Sequence, residues 1–426
     1  MLYNEYIRPI ILIALLTTTS LITITTPKTY AQQEMTPTQT FTTSEQYNRI
    51  VLSSDGKHIA AISTTTDTLA VFNQTHKLWS THLIGIKSVA MFENASTIAT
   101  ATITGIQLFN TNDPKPQQHY NLNYENPRIA LSNDGTTLAY AATTTNQNGT
   151  ILTALCQFET ATLTPTWHTP LQGNLESLST SDNGNYTTVT TNQPAALHLF
   201  TKQQQTPLWT YNFGEHSAAA KISSDGNYII ATGGNQTQQY GLRVHRFTRQ
   251  SPLPNYIKMI SELVPAQRLA VASQGTIFAL AFAETNRLTF FNLDLPPYGY
   301  GPGSVLNITL AGKPTAIAMS SDGKYTAVGT DTGIYLYEYI NNELTLTKQY
   351  TNGNPNITDI AITPDGWHLA TTTTNAIYLF DTVEIRHDTV FWLQITALAT
   401  LILAVTIISI YLLRRKRKPQ KPTDTN

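Results

Sequence analysis

The residues best suited to chemistry in this chain are aspartates that recur in one short pattern. Each follows a serine or threonine by two positions and precedes a glycine. Carboxylates at such fixed places could bind calcium, but a calcium loop needs a cluster of the type Asp-x-Asp-x-Asp-Gly, and none occurs. Glycine takes positive φ without steric cost, and aspartate caps backbone amides across a turn. We therefore predict structural turns at Asp55-Gly56, Asp134-Gly135, Asp225-Gly226, Asp322-Gly323 and Asp365-Gly366.

Histidine and cysteine give no further sign of a reactive centre. The ten histidines are scattered, and His198 and His245 share a strand position in different repeats, so we predict no metal site. Cys156 is the single cysteine, which excludes an intrachain disulfide, and its apolar–polar alternating surroundings predict a small buried strand residue rather than a nucleophile. The chain lacks a Gly-x-Ser-x-Gly elbow, a phosphate loop and His-Glu-x-x-His. We predict no catalytic, metal-binding or cofactor-binding residue and no cofactor.

Composition narrows the class of partner. The formal net charge is −1 and only 12% of residues are charged, so no basic face is available for a phosphate backbone and nucleic-acid binding is not expected. The chain holds 70 threonines, which suit β-strands. A surface solvated by hydroxyls and amides fits an extracytoplasmic protein.

The turns belong to a repeat of roughly 40–50 residues with strand–turn–strand content, which is the signature of a β-propeller. Turn positions near 55, 94, 134, 183, 225, 275, 322 and 365 predict eight blades, or seven if a weak copy near Asn94 or Gln274 is an insertion. A second motif, apolar–x–apolar–aromatic, follows each turn, and we expect its aromatic to pack between blades. Its copies end at Phe72, Phe109, Phe200, Phe291, Tyr337 and Phe380, with His245 in the aromatic place of one repeat.

Tryptophans mark a third element. Trp79, Trp167 and Trp209 fall where the outermost strand of a blade should run. The Asp-Gly turn and its following strands resemble WD-repeat propellers, and the Leu-Trp outer strand resembles the pyrroloquinoline-quinone-type repeat family. The Gly-His and Trp-Asp dipeptides of true WD repeats are absent, and one cysteine cannot supply the vicinal pair of quinone dehydrogenases. The resemblance implies a closed all-β propeller over residues 32–386, without the enzymatic activity.

The last repeat lacks an outer strand before the chain turns apolar. We expect residues near Thr38–Ser44 to supply that strand and so close the ring, which hides the sheet edges.

The two ends predict attachment to a membrane. Residues 389–413 are apolar from Val390 to Leu413, long enough to span a hydrocarbon core of roughly 30 Å, and the basic tail 414–426 opens with Arg414–Lys418. This charge places the C-terminus in the cytoplasm. Residues 1–31 resemble a secretory signal with cleavage after Ala31, or alternatively an uncleaved anchor. Both interpretations place the propeller outside the cell membrane, and with the signal cleaved the chain crosses that membrane once.

Two irregular stretches are candidate interaction surfaces. One is the Pro/Gly loop that carries Tyr298 and Tyr300, and the other is the basic run that contains Arg243 and Arg246. Seven Asn-x-Ser/Thr sequons are candidate glycosylation sites, although the composition alone would produce as many: Asn73, Asn94, Asn148, Asn185, Asn235, Asn307 and Asn356.

These features together predict a membrane-tethered extracytoplasmic interaction module that is not an enzyme. Its partner would be a protein, a glycan or an envelope component. The alternatives are a structural envelope component and a propeller enzyme, either a lactonase-like hydrolase or a redox enzyme, whose centre would lie in the channel. Such a centre draws one residue from each blade and leaves no linear motif, so carboxylates or histidines gathered in the channel would distinguish it.

Overall fold

The computed structural model describes residues 33–92, 96–234, 242–260, 268–294 and 304–382. These residues form one compact unit that ends at Thr382 and is built from β-strands, with no helix among them. The described part of the chain consequently holds no helix long and apolar enough to cross a membrane. The predicted segments 1–31, 389–413 and 414–426 lie outside it, as do Tyr298 and Tyr300.

The strands form seven four-stranded sheets and one five-stranded sheet, and the repeat order makes these sheets the eight blades of a propeller. The chain begins with β1 (Gln33–Glu34) and β2 (Gln39–Thr42). Blade 1 contains β3 (Arg49–Leu52), β4 (His58–Ser63), β5 (Thr68–Asn73) and β6 (Lys77–His82); blade 2 contains β7 (Ile86–Met91), β8 (Thr97–Thr102), β9 (Gly105–Asn110) and β10 (Pro116–Asn121). Blade 3 contains β11 (Glu125–Leu131), β12 (Thr137–Thr145), β13 (Ile151–Glu159) and β14 (Thr164–Gln172); blade 4 contains β15 (Asn174–Thr180), β16 (Tyr186–Asn192), β17 (Ala195–Thr201) and β18 (Trp209–Gly214).

The second half repeats the plan. Blade 5 contains β19 (His216–Ile222), β20 (Tyr228–Gly234), β21 (Leu242–Thr248) and β22 (Tyr256–Met259); blade 6 contains β23 (Arg268–Val271), β24 (Ile277–Phe282), β25 (Arg287–Asn292) and β26 (Ser304–Thr309). Blade 7 contains β27 (Pro314–Met319), β28 (Tyr325–Thr330), β29 (Ile334–Ile340) and β30 (Glu343–Tyr350); blade 8 contains β31 (Ile357–Ile362), β32 (His368–Thr373) and β33 (Ala376–Asp381). In each blade the first of these strands is the innermost.

The ring closes as predicted. Strand β2 pairs antiparallel with β33, from Gln39 opposite Leu379 to Thr42 opposite Ala376, and so completes blade 8. The prediction of eight blades is confirmed. One strand was not predicted: β1 pairs in parallel with β30 and adds a fifth strand to blade 7. The N-terminal segment therefore ties blade 7 to blade 8.

The second strand of each blade is buried on both faces, because each blade is stacked between two others. The threonines explain how this works: the Thr102, Thr330 and Thr373 hydroxyls donate to the carbonyls of Gly105, Gly333 and Ala376 at 3.1, 3.0 and 3.1 Å. The high threonine content of this chain therefore reflects buried positions between the blades as well as exposed positions on the surface. The buried threonines of the second strands include Thr100, Thr187, Thr188, Thr190, Thr191, Thr232, Thr326, Thr371 and Thr372.

Aromatic rings join neighbouring blades, as predicted. Trp167 of blade 3 stacks on Phe200 of blade 4 with ring centroids 5.5 Å apart, and its Nε1 donates to the Lys202 carbonyl at 2.9 Å. Trp79 and Trp209 repeat both contacts, and all three tryptophans lie on outermost strands. In blade 5 the aromatic place belongs to Phe247, and not to His245, which lies two residues earlier and matches His198.

The Asp-Gly turns have the structural role predicted for them. In blade 5, Asp225 Oδ1 accepts from Ser223 Oγ at 2.6 Å and from the Asn227 amide at 2.9 Å. Burial by itself would raise the pKa of Asp225, but these hydrogen bonds and the charge of Arg249 outweigh it and hold the pKa below its usual value. We call the side of the propeller that carries these turns the turn face.

The turn glycines have a second role that the sequence did not reveal. A Cβ built on Gly226 would lie 2.6 Å from a ring carbon of Tyr186, the first residue of the second strand in blade 4. Gly366 meets Tyr325 in the same way, and Gly56 of blade 1 meets His368 of blade 8 across the closure. The glycines therefore let each turn pack directly on the preceding blade.

A series of backbone hydrogen bonds links the turns around the channel. The Asp182 amide donates to Ser224 at 2.9 Å, Ser224 donates to Ser273 at 2.9 Å, Ser273 donates to Ser321 at 2.8 Å, and Ser321 donates to Pro364 at 2.8 Å. Proline has no amide hydrogen, so the series cannot continue from Pro364 into blade 1. The Asp134 amide of blade 3 donates to Asp182 at 3.1 Å, so this belt holds the turn-face end of the channel from blade 3 to blade 8.

Candidate functional site

The innermost strands place a ring of matched residues around the central channel. Arg49, Arg128 and Arg268 occupy the same position in blades 1, 3 and 6, since each pairs with the fifth residue of its neighbouring strand. Asp359 holds this position in blade 8. We call this ring the arginine level. Its other members are small: Ser88, Ser177, Ala219 and Ala316.

Four members of the arginine level hold neighbouring blades together, and one of them is Arg268, whose Nε donates to the Thr315 carbonyl of blade 7. Asp359 Oδ2 accepts from the Ile50 amide at 2.9 Å, Ser88 Oγ accepts from Ile129 at 3.3 Å, and Ser177 Oγ accepts from Ala220 at 3.0 Å. Each bond runs from one blade to the next. The serines and the aspartate of this ring are thus structural.

Two residues nearer the turn face lies a second ring, the alanine level. It consists almost entirely of small side chains, and Lys221 of blade 5 is its charged member. Its other members are Val51, Ala90, Ala130, Ser179, Ala270, Ala318 and Ala361. Because strands rise about 3.3 Å per residue, Lys221 lies roughly 7 Å deeper than the arginines. The small side chains leave the path to it open.

The channel widens into a cavity of about 820 Å³ on the side opposite the turn face, which we call the loop face. The hairpin 146–150 and the connection 83–85 belong to this side. Charged residues of blades 1 to 4 line the cavity: Arg49, Lys87, Glu125, Arg128 and Glu176. Cations outnumber carboxylates here.

Enclosure by the ring shifts the pKa values of the charged residues in the channel. Desolvation lowers the pKa of Arg128, and the charge of Glu176 opposes that shift while the charge of Arg49 adds to it. Enclosure likewise lowers the pKa of Arg268, again with a contribution from Arg49. Arg49 therefore repels both Arg128 and Arg268, and an anion placed between them would relieve this repulsion.

The deeper groups show the same effect of enclosure. Lys221 keeps contact with solvent in the channel but is surrounded by the inner strands, which lowers its pKa against the opposing charge of Asp359. Desolvation raises the pKa of Asp359 despite its amide hydrogen bonds and the nearby cations Arg49 and Lys221. It also raises that of Glu176, against the charge of Arg128 and a hydrogen bond with Asn192.

The carboxylates of the channel show no electrostatic coupling to one another. Glu125 and Glu176 line the cavity and Asp359 lies in blade 8, and no carboxylate contributes to the pKa shift of Glu176 or of Asp359. Within the described residues, no group of three or more His, Cys, Asp or Glu side chains could hold a metal ion. The channel is polar, but its carboxylates are not clustered.

The basic run predicted as an interaction surface is engaged within blade 5. The Arg246 guanidinium lies over the Tyr228 ring, 4.9 Å from its centroid, and Nε donates to Asn255 at 3.2 Å. Arg243 is half-buried on the same strand. Both lie outside the channel.

The remaining candidates are placed as follows. Cys156 is buried, as predicted, and burial raises the pKa of its thiol to about 12. Burial lowers the pKa of both His198 and His245 to about 4. Of the sequon asparagines, Asn94 and Asn235 lie outside the described residues, Asn73 is half-buried, and the others are exposed: Asn148, Asn185, Asn307 and Asn356.

The arginine level was missed, although the sequence contains a signal for it. Its members lie six residues before the central turn position of each repeat: Arg49 before Asp55, Arg128 before Asp134, and Asp359 before Asp365. An alignment of the repeats on their turns, read at that offset, would have shown the charges in one column.

Known structures resemble this chain in fold. A chain of the crystal structure of a mitotic checkpoint complex is 14% identical, with a TM-score of 0.54 over 83% of this chain and 98% of its own length. The β-propeller domain of Cps50 (Swd1) from Myceliophteria thermophila is 10% identical, with a TM-score of 0.52 over 82% of this chain and 100% of its own. No protein-family model and no curated protein matches the chain in sequence.

Identities this low establish the fold alone. The WD-repeat-like β-propeller predicted from the turns is confirmed, and such a fold is consistent with a protein-interaction module. The resemblance to pyrroloquinoline-quinone-type repeats stays a prediction.

Proposed function

We propose that this chain is a membrane-tethered, extracytoplasmic interaction module that docks a protein partner on the loop face of its propeller and does no catalysis of its own. The observation that carries the proposal is the cavity of about 820 Å³ at the channel mouth, lined by charged residues that do not follow the repeat. The repeat itself explains the turns, the alanines and the inter-blade aromatics. It does not explain charges that differ from blade to blade.

Rigidity supports a docking role. The cavity is built on the innermost strands, which the side-chain hydrogen bonds between blades hold in place. Groups fixed in this way lose little conformational entropy when a partner binds. Loops and strand ends on a rigid scaffold are a common location for binding surfaces.

The course of the chain through blade 8 also supports the loop face as the docking surface. Thr382 is the last described residue and lies at the turn face, where its amide donates to the Trp367 carbonyl at 2.8 Å. The last strand of the ring therefore ends on the face opposite the cavity. The membrane attachment itself rests on the hydropathy and charge of residues 389–418.

The competing hypothesis is a hydrolase or redox enzyme centred in the channel. It requires carboxylates or histidines brought together there, and neither Glu125 nor Asp359 contributes to the pKa shift of Glu176. This lack of electrostatic coupling between the carboxylates favours binding over catalysis.

Site-specific photo-crosslinking of the full-length chain in its native membrane tests the proposal. Ile151 is 41% exposed and lines the cavity on the loop face, whereas Leu208 is 47% exposed and lies in the β17–β18 connection on the turn face. We expect a photoreactive residue at position 151 to capture a distinct protein, and the same residue at position 208 to capture none. Equal capture at both positions, or turnover of an ester or lactone that depends on Glu176, would overturn the proposal. A band removed by glycosidase treatment but not by protease would identify a glycan as the partner instead.

A further inference from the structure

We infer that the channel mouth receives a carboxylate-bearing peptide segment of the docked partner, which passes between Arg49, Arg128 and Arg268 and reaches Lys221. This inference rests on the proposed docking function and names the chemistry of the partner. It follows from the position of the cations, from their free donors and from the shape of the channel.

The cations keep unused hydrogen-bond donors. Among the described residues, Arg128, Lys221 and Lys87 make no hydrogen bond and no ion pair closer than 4 Å. Arg49 gives one hydrogen bond to the Asn48 carbonyl, at 2.9 Å, and Arg268 gives one to Thr315. A guanidinium has five N–H donors arranged to grip a carboxylate with two parallel bonds. Most of the donor capacity of the arginine level therefore faces the channel without a partner.

The carboxylates already present do not fill that role. Asp359 accepts the Ile50 amide, and Glu176 is hydrogen-bonded to Asn192. Glu176 and Asp359 act on Arg128 and Lys221 through their charge but form no ion pair with them within 4 Å, so the donors of both cations remain available to an incoming carboxylate. Because enclosure lowers the local dielectric, such a contact is stronger here than at an open surface.

The channel has the depth and shape for a narrow insert. Below the arginines lies the alanine level, where the side chains of seven blades are small or of moderate size and the eighth blade supplies Lys221. The distance of roughly 7 Å between the two levels matches about two residues of an extended strand. An acidic side chain held at the arginine level could therefore be followed by a second carboxylate at Lys221.

The mouth also discriminates against uniform polyanions. Glu125 and Glu176 line the same cavity as the arginines and would repel a chain that carries a negative charge at every unit. A peptide alternates charged and neutral groups, so it can present carboxylates to the cations and polar groups to the glutamates. This mixed lining favours an acidic protein segment over a sulfated glycan.

The test uses the detergent-solubilised full-length chain and a fluorescein-labelled peptide of three Glu-Ser repeats, with three Gln-Ser repeats as the neutral probe. Fluorescence anisotropy at low salt should show binding of the first and not of the second, and added salt should weaken it. The double variant Arg128→Gln/Lys221→Gln should lose about tenfold in affinity. The variant Glu176→Gln should gain affinity, because it removes a repelling charge.

The matched control is Lys57→Gln/Lys258→Gln, which removes two exposed cations outside the channel and should change affinity less than about twofold. Arg128→Lys/Lys221→Arg keeps the charge and should retain binding. Thermal unfolding of each variant confirms that it is folded.

Equal affinity for both peptides, or equal loss in the control variant, would overturn the inference. So would tighter, channel-dependent binding of heparin or inorganic phosphate than of the Glu-Ser peptide. Crosslinking at position 151 reports separately on docking, so a protein captured there with the channel variants unaffected would leave the proposed function standing while this inference fails.

Discussion

The two ends of the central channel are built on opposite principles. At the turn face, the same glycine packing and the same backbone hydrogen bonds recur from blade to blade, and the side chains of the alanine level are nearly uniform. At the loop face, equivalent positions hold arginine, serine, alanine or aspartate. The repeated end maintains the ring, and the end that departs from the repeat is free to bind. Substitutions should therefore cost stability where the chain repeats, and should change ligand binding where it does not.

The largest effect is expected at an inter-blade aromatic. Phe200 is fully buried against Trp167 at the interface between blades 3 and 4. Its replacement by alanine should lower the free energy of unfolding by about 3–5 kcal/mol, since it leaves a cavity in a packed interior. Urea denaturation followed by circular dichroism measures this. Trp367, which is 53% exposed, is the control, and its replacement by alanine should cost less than about 0.5 kcal/mol.

A turn glycine should follow. Gly226 has φ +73° and lies against Tyr186, so Gly226→Ala combines backbone strain with a steric clash and should cost about 2–4 kcal/mol. Gly353→Ala is the matched control, because Gly353 has φ +77° and nothing within 4 Å of its added Cβ. The difference between the two unfolding free energies isolates the contact between blades. Equal losses would show that the glycine serves its own turn and nothing else.

Acid should destabilise the interior through a buried histidine. Burial, aided by the charge of Arg243, lowers the pKa of His245 to about 4, below its ordinary 6.5. Between pH 6.5 and pH 4 the unfolded chain binds more protons than the folded chain. The contribution of His245 to stability is therefore complete above pH 6.5 and is lost as the pH falls toward 4. For one such group the loss between pH 7 and pH 5 is about 2 kcal/mol.

Measurement of unfolding at both pH values in wild type and His245→Leu checks this prediction. The variant should retain more of its stability on acidification, whereas replacement of the exposed His76 by leucine should leave the loss unchanged. An unchanged pH dependence in His245→Leu would place the acid-sensitive group elsewhere.

A smaller effect is expected from the outer-strand hydrogen bond. Trp209 Nε1 donates to the Arg249 carbonyl of the next blade at 2.8 Å. Trp209→Phe keeps an aromatic ring there and removes the donor, so it should cost about 1 kcal/mol by chemical denaturation. Trp367→Phe should cost nothing measurable. A loss in Trp209→Phe as large as in Phe200→Ala would mean that the ring itself, and not the hydrogen bond, dominates this contact.

The smallest effect on stability is expected at the channel mouth. Arg128 makes no hydrogen bond among the described residues, and its neighbour Arg49 repels it. Arg128→Gln should therefore change the unfolding free energy by less than about 0.5 kcal/mol, or raise it slightly. A loss of several kcal/mol would erase the distinction between the two ends of the channel, because it would make Arg128 part of the framework, like the serines and the aspartate of its level.

The sequence predicted most of the framework. The turns, the eight blades, the outer-strand tryptophans and the closing strand were all read from residues that recur at a fixed spacing. Local chemistry explains why: an Asp-Gly turn and an alternating apolar strand depend on residues that are near in sequence. His245 was placed wrongly in the aromatic position because Arg246 interrupts the apolar alternation before Phe247. The motif was therefore assigned two residues too early, at Leu242–His245, although β21 matches β17 in length and in the position of its aromatic.

The sequence by itself determined a ring of eight repeating units, and it gave grounds to expect export and a membrane tether. Only the tertiary structure decided which charges meet. Arg49 and Arg268 lie more than two hundred residues apart, and no local pattern links them. The charge of Arg49 nevertheless acts on Arg268, because ring closure brings the same strand position of each blade to one level of the channel. That level, rather than any motif, forms the surface on which we propose that a partner binds.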